Sequence, residues 1–343
     1  MREIRSLSLE ELTGELEAMG ERKFRASQIF DWLHRRPVDS FDEMTNLPAT
    51  LRSRLAAQFS LVTLRAVKVL TSRIDGTKKF LFELPDGNVI ESVWMSYRHG
   101  NSVCISSQVG CRMGCRFCAS TLDGLVRGLT PSEMLEQVYQ IRKITRERVD
   151  NVVVMGSGEP LDNYENLVRF IRLLTDEKGQ NISGRSVTVS TCGLVPQIYR
   201  LAEEKLGLTL ALSLHASDQE TREKLMPIAR RYELSEVLAA CDHYFEATGR
   251  RISYEYSLVH GVNDTPENAR TLAGLLGRRN CHVNLIPVNP IKERDFTRGA
   301  RKETEAFLEV LEKSGISATI RREMGRDIEG ACGQLRRSYL GSK

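Results

Sequence analysis

Three cysteines fall within eight residues, in Cys111-Arg-Met-Gly-Cys115-Arg-Phe-Cys118. Thiolates are soft ligands suited to iron and zinc. The C-x3-C-x2-C spacing offers three corners to an iron–sulfur cube and leaves its fourth iron open to an external chelator. A zinc site is the rival reading. It takes four protein ligands, usually in paired C-x2-C motifs, and no second pair is present. His99 and Cys104 are the nearby candidates for a fourth ligand, neither at a zinc-like spacing. The bland alternative is three buried cysteines without a metal.

Other chemistry-bearing residues lie along the chain. Gly156-Ser-Gly-Glu-Pro has glycines that would let backbone approach a ligand and a carboxylate, Glu159, able to accept hydrogen bonds from an ammonium group. It is no dinucleotide fingerprint, because Leu161 holds the third glycine position. Ser190, Ser213, His215 and Asn289 each fall at or just after a strand end, where a turn or cap would also use them. Cys332 stands between Gly330 and Gly333 in a tail, 317–343, with six basic and three acidic side chains. A thiol in such surroundings can have a lowered pKa and be accessible, although a small buried residue is the plainer reading. Cys104 reads as a buried strand cysteine and Glu91 as an exposed strand glutamate. Cys192, Cys241 and Cys281 read as core.

The elements needed to position these residues follow from pattern. Residues 1–75 read as a helical segment, with helices over Leu7–Met19, from Phe24 to His34 and over Leu47–Phe59. Residues 76–99 read as a β-hairpin and linker turning at Pro85-Asp-Gly-Asn. From residue 100 to 320, short apolar runs alternate with amphipathic helices: Ser102–Ser106, Asn151–Met155, Ser186–Ser190, Leu208–Leu214, Ile252–Leu258, Val283–Val288 and Ser317–Ile320. Thr130-Pro-Ser-Glu is a capping box with proline at the first helical position, and Asp162-Asn-Tyr-Glu opens the next helix. Such β-α units imply a parallel sheet covered by helices, and about six of them suit a partial (β/α) barrel with its site at the carboxyl ends of the strands. Residues 321–343 are the tail.

The 343 residues are 41% hydrophobic and 27% charged, enough for a sizeable core. No apolar run approaches a membrane span, and the first residues lack the apolar stretch of a signal peptide, so the expectation is a cytoplasmic protein that makes no membrane contact. The net charge of +4 permits a nucleic-acid partner without arguing for one. Basic side chains flank the second helix (Arg22, Lys23, Arg25, His34, Arg35, Arg36) and recur in the tail (Arg321, Arg322, Arg326, Arg336). These are candidate nucleic-acid platforms, the alternative being a solvated helix face.

The cysteine motif after a first barrel strand resembles the radical S-adenosylmethionine (SAM) superfamily. Cys104-Ile-Ser-Ser-Gln-Val-Gly-Cys, Gly156-Ser-Gly-Glu-Pro-Leu, Val189-Ser-Thr-Cys-Gly-Leu-Val-Pro, Ser213-Leu-His, Asn284-Leu-Ile-Pro-Val-Asn-Pro and Ala331-Cys-Gly-Gln-Leu narrow the resemblance. They are similar, in order and at suitable spacing from about Phe24 to Leu335, to the radical SAM methyltransferases that act on carbon 2 of adenine in 23S rRNA and tRNA. One departure is Ser157, where many members carry methionine.

The resemblance implies a partial (β/α)6 barrel with a small N-terminal helical domain and hairpin. It implies a [4Fe–4S] cluster on Cys111, Cys115 and Cys118, and SAM held by Gly158, Glu159, Ser190, Ser213, Leu214, His215 and Asn289. It makes Cys332 the residue that is S-methylated, Cys104 the thiol that resolves a protein–RNA adduct through a transient disulfide, and Glu91 the proton acceptor. Two SAM are used per turnover, an external donor supplies electrons, and the expected state is a monomer. The alternatives are a relative that methylates carbon 8 of the rRNA adenine and confers antibiotic resistance, and a non-enzymatic metal-containing RNA-binding protein.

Overall fold

A computed structural model describes residues 1–277, 279–290, 293–328, 335, 336 and 339. The chain opens with a small helical layer. Strand β1 (Arg2–Glu3) pairs with β2 (Phe59–Ser60) and so ties together the ends of the segment carrying α1 (Leu9–Ala18), α2 (Phe24–Phe30) and α3 (Ala49–Gln58). Ser8 and Glu11 form a capping box at the start of α1, and Leu12 and Leu16 bury its apolar face.

Next come β3 (Arg65–Thr71), β4 (Lys78–Glu83), β5 (Val89–Tyr97) and β6 (Gly100–Ile105), an antiparallel meander. The sequence reading placed residues 65–71 in the helical segment, but they form an edge strand. Arg65-Ala-Val-Lys-Val-Leu-Thr is rich in β-branched and aliphatic residues and gains its ladder from β4, which local pattern does not reveal. The hairpin is likewise not a separate linker, since β5 pairs with β6 and carries the meander into the main sheet.

A small ribbon, β7 (Gln108–Gly110) with β8 (Leu125–Gly128), brackets the cysteine loop. The β-α repeat then runs α4 (Pro131–Thr145), β9 (Asn151–Val154), α5 (Tyr164–Thr175), β10 (Val187–Thr191), α6 (Val195–Glu203), β11 (Thr209–Ser213), α7 (Gln219–Leu225), α8 (Leu234–Thr248), β12 (Ile252–Leu258), α9 (Pro266–Leu276), β13 (Cys281–Pro287), α10 (Arg301–Lys313) and β14 (Ala318–Ile320). The ten-stranded sheet has the order β14-β13-β12-β11-β10-β9-β6-β5-β4-β3 and is parallel from β6 to β14. Its end strands do not pair, so the barrel is open, as expected. Among the described residues no helix is long and apolar enough to cross a membrane.

The pleat sorts side chains between the two faces. Val103, Ile105, Val152, Val154, Val189, Leu210 and Leu212 join the core under the helices. Cys104 packs with Val93, Met95, Val153 and Met155 on the opposite, concave face.

The helical layer is anchored by a buried ion pair. Arg5 and Glu136 of α4 are both fully buried and in contact. Arg5 also donates to the carbonyls of Leu33, Val38 and Val62, and Glu136 accepts the Leu64 N–H at 3.1 Å. One guanidinium thus ties four segments together. Glu136→Ala would strand this cation without its counter-charge, and the expected cost is about 3–5 kcal/mol. Urea denaturation of the purified variant would show it as a lowered midpoint at unchanged slope.

Candidate functional site

The cysteine loop is held by backbone. Gly110 has φ +77°, and a Cβ there would lie 2.0 Å from the Gly124 carbonyl, so only glycine admits the turn. Cys111 N–H donates to that carbonyl (2.9 Å), and Arg116 N–H donates to Leu225 of α7 (2.9 Å). Thr121 Oγ1 donates to the carbonyls of Cys115 (3.0 Å) and Cys118 (2.9 Å). These bonds bring Cys111, Cys115 and Cys118 to the wall of one cavity of about 220 Å³ at the carboxyl ends of the strands. Burial pushes the Cys111 thiol up to about 12 and Cys115 well above its ordinary value, and the neighbouring cysteines push in the same direction. Three sulfurs so placed become thiolates together only around a cationic centre.

The donor set fits an iron–sulfur cube. The proposed fourth zinc ligands, Cys104 and His99, do not line the cavity, and His99 stacks on Tyr97. Cys192 does line it, but its thiol hydrogen-bonds the Glu159 carboxylate, which raises its pKa further beyond the effect of burial.

Across the cavity, Glu159 is buried and oriented by backbone. Its Oε1 accepts Leu161 N–H (3.1 Å) and its Oε2 accepts Cys192 N–H (2.8 Å). Burial raises its pKa, against these hydrogen bonds. The side chains of Thr191 and Cys192 also bond this carboxylate, which lines the cavity and presents its charge to a ligand's ammonium group. Gly158 has φ +107°, and a Cβ there would meet the Gln108 Cβ at 2.5 Å. Gln108 in turn accepts Glu159 N–H (2.8 Å) and donates to Asp162 (3.1 Å).

Ser190 and Ser213 face each other at 3.4 Å on the cavity wall. His215, at φ +57°, accepts Ser257 N–H on Nδ1 (2.9 Å) and stacks edge-on against Phe117. Burial, then the Arg222 charge, lower its pKa to about 3, so the ring is neutral with its proton on Nε2. Leu214 turns its side chain into the core and joins the site only through backbone, its N–H donating to Glu255 O (3.0 Å). Asn289 lies two residues past β13 and outside the cavity lining.

Gln108, Cys192 and Glu255 were missed by the sequence reading as site residues. Glu255 lines the cavity and accepts from Asn284 (2.9 Å) and Ser253 (3.0 Å). The alternation of Ile252-Ser-Tyr-Glu-Tyr-Ser-Leu, with tyrosines buried on one face, was the available signal.

Cys104 is paired with Val93 of β5, and Glu91 lies two residues earlier on that strand, on the same concave face. Glu91 is not the exposed strand residue its sequence context suggested. It is 4% exposed, with Oε2 3.1 Å from Lys79 Nζ and Oε1 accepting Arg336 N–H (2.6 Å). Leu335 packs beside it on Leu81 and Val89, and Met324 packs on the Cys104 cluster. Cys332 lies outside the described residues.

Two of the basic candidates are corrected. His34 is fully buried, its Nδ1 2.9 Å from the Tyr139 hydroxyl, and burial lowers its pKa to about 3. Arg336 is buried and bonds Val89 O (3.0 Å). Arg22, Lys23, Arg35, Arg36, Arg321, Arg322 and Arg326 are exposed.

An open β/α barrel whose first parallel strand delivers a C-x3-C-x2-C loop to its mouth defines a radical SAM enzyme. The Radical SAM superfamily model matches residues 105–273, and the ribosomal RNA large subunit methyltransferase N-terminal domain matches residues 3–61. A [4Fe–4S] cluster and SAM are therefore its cofactors. A protein of Lachnospira eligens named "Probable dual-specificity RNA methyltransferase RlmN" is 60% identical over 340 residues, 99% of this chain and 97% of that one. Another of the same name from Lachnoclostridium phytofermentans is 59% identical over 337 residues, 98% and 95% of the two chains. The crystal structure of a radical SAM methyltransferase from Sphaerobacter thermophilus superposes with a TM-score of 0.92 at 44% identity, covering 97% of this chain and 99% of that one. The chain belongs to the RlmN family.

Glu159 yields a pH prediction. Its pKa lies above the ordinary 4.5, so the carboxylate is lost as pH falls through that raised value. SAM affinity of the cluster-loaded protein, measured by calorimetry, should fall with it. Glu159→Gln should retain iron, bind SAM at least about tenfold more weakly, and lose this pH dependence.

Proposed function

We propose that this chain methylates carbon 2 of adenine in two RNAs: 23S rRNA, at the peptidyl transferase centre, and tRNA, at the adenine 3′ of the anticodon. Membership in the family supports the reaction. The observation that carries the residue roles is that Glu91 and Cys104 share the concave face where Leu335 and Arg336, three and four residues after Cys332, are seated.

Carbon 2 lies between two ring nitrogens and is too electron-poor to attack a sulfonium methyl group, so a radical route is needed. When bound, the cluster and SAM would supply the one-electron chemistry that removes a hydrogen atom from a methyl group. Cys111, Cys115 and Cys118 hold the cluster. Gly158, Glu159, Ser190, Ser213, the Leu214 backbone and His215 would hold SAM in the cavity. The Cys332 sulfur takes a methyl group from a first SAM by displacement and presents it to the adenine. Glu91 accepts the proton that carbon 2 loses, in a carboxylate kept in place by Lys79 and the Arg336 N–H. Once a hydrogen atom is removed from the Cys332 methyl group, its carbon would bond to carbon 2, and the adduct would return one electron to the oxidised cluster. The Cys104 thiolate then attacks the Cys332 sulfur, and the sulfur–methylene bond breaks. The released methylene takes up a proton to become the methyl group, and the resulting disulfide is reset by an external reductant.

The adenine is unstacked into the barrel mouth, with exposed Arg22, Lys23, Arg35, Arg321, Arg322 and Arg326 as the phosphate-binding surface, so binding weakens as salt rises. A cytoplasmic monomer served by an unidentified electron donor completes the proposal.

Anaerobic reaction of cluster-loaded protein, SAM, dithionite and an rRNA fragment should give 2-methyladenosine by nucleoside mass spectrometry. Finding 8-methyladenosine instead, or no 5′-deoxyadenosine at all, would overturn the assignment. Cys104→Ala should accumulate a covalent protein–RNA adduct visible on a denaturing gel, and normal turnover without it would make Cys104 a bystander.

A further inference from the structure

Arg222 is fully buried, yet among the described residues no carboxylate pairs with it. Its Nη2 donates to the Cys192 carbonyl (2.7 Å), while Nε and Nη1 have no partner. A guanidinium cannot shed its charge near neutral pH, and an uncompensated buried cation is strongly destabilising. Something negative therefore belongs beside it.

The surroundings say what. Arg222 sits on α7, whose last residue, Leu225, accepts the Arg116 N–H of the cysteine loop. Gly114 of that loop lies against Pro227, where a Cβ would touch Cγ at 3.4 Å. Gly193 leaves room for the guanidinium, where a Cβ would stand 3.3 Å from Nη2. Cys192, whose carbonyl Arg222 bonds, lines the same cavity as Cys111, Cys115 and Cys118 of the C-x3-C-x2-C motif. An oxidised [4Fe–4S] core held by three thiolates carries net negative charge and gains one more on reduction.

We infer that Arg222 is the buried counter-cation of the cluster, a positioning residue that eases the one-electron reduction. This rests on the cluster reading above. A fixed positive charge near a cluster favours its reduced, more negative form. Arg222 also couples folding to loading: in the apoprotein it is a buried cation without a counter-charge among the described residues, and in the loaded protein it is paired.

The test compares wild type with Arg222→Met, which removes the charge, and Arg222→Lys, which keeps it. Redox titration of the reconstituted cluster is followed by electron paramagnetic resonance, without RNA. Arg222→Met should lower the reduced-to-oxidised ratio at a fixed potential about tenfold, a shift of about 59 mV to more negative potential, while Arg222→Lys stays near wild type. Melting of the apoprotein should be unchanged or raised in Arg222→Met, and the increase in melting temperature on cluster loading should be smaller than in wild type. An unshifted potential in a fully loaded Arg222→Met protein would overturn the inference. So would an equal loss of stability with and without cluster, which a packing role through Cys192 predicts, or an Arg222→Lys shift as large as that of methionine. Should the methionine variant not fold, Arg222→Gln carries the same expectations. Failure of wild type to assemble any cluster would instead overturn the cluster reading itself.

Discussion

Cys111 and Cys115, crowded with Cys118 onto the wall of one cavity, resist ionising. Each must give up water, and each thiolate would repel the next. The raised pKa values of Cys111 and Cys115 express that conflict, and a cationic centre resolves it. Much of the local architecture serves this constraint. The β7–β8 ribbon, a glycine at 110 that tolerates positive φ, and the Thr121 hydroxyl bonded to two loop carbonyls hold the sulfurs in place although their electrostatics oppose it.

The second half of the site follows from strand geometry. In parallel strands every other residue faces the cavity, so Ser190, Ser213, Glu255 and Ser257 arrive on one wall while Val189, Leu212, Tyr254 and Tyr256 build the core behind it. The antiparallel meander extends the same concave face sideways, which brings Glu91 and Cys104 onto it in register. One sheet thus carries the cofactor cavity and the face proposed for the substrate. The helical layer is fastened to the outside of this sheet through Arg5 and α4.

Electrostatic order also runs through backbone amides. Glu159 is aligned by the N–H groups of Leu161 and Cys192, and His215 is fixed as a neutral donor by the Ser257 N–H. Such groups are set by the fold and need no reorganisation when a ligand arrives. The buried polar atoms around the cavity are therefore part of its function rather than a defect of packing.

The amino-acid sequence alone singled out the three cysteines proposed to hold the cluster, because three cysteines on one short loop are a local pattern. It also determined the order of the β-α units, since each strand's apolar run and each helix's cap, such as Thr130–Glu133, is decided within a few residues. The family resemblance rested on the same short motifs. The tertiary structure alone decided the burial of Glu91 against Lys79, the withdrawal of His34 and Arg336 from the surface, and the strand at 65–71. It alone placed Cys192 and Glu255 on the cavity wall, and brought Gln108 to Glu159 and Arg222 to the Cys192 carbonyl. These outcomes depend on partners elsewhere in the chain, 12 residues apart for Lys79 and Glu91 and 245 for Glu91 and Arg336. Charge, desolvation and hydrogen bonding act through space, and no window of neighbouring residues contains them.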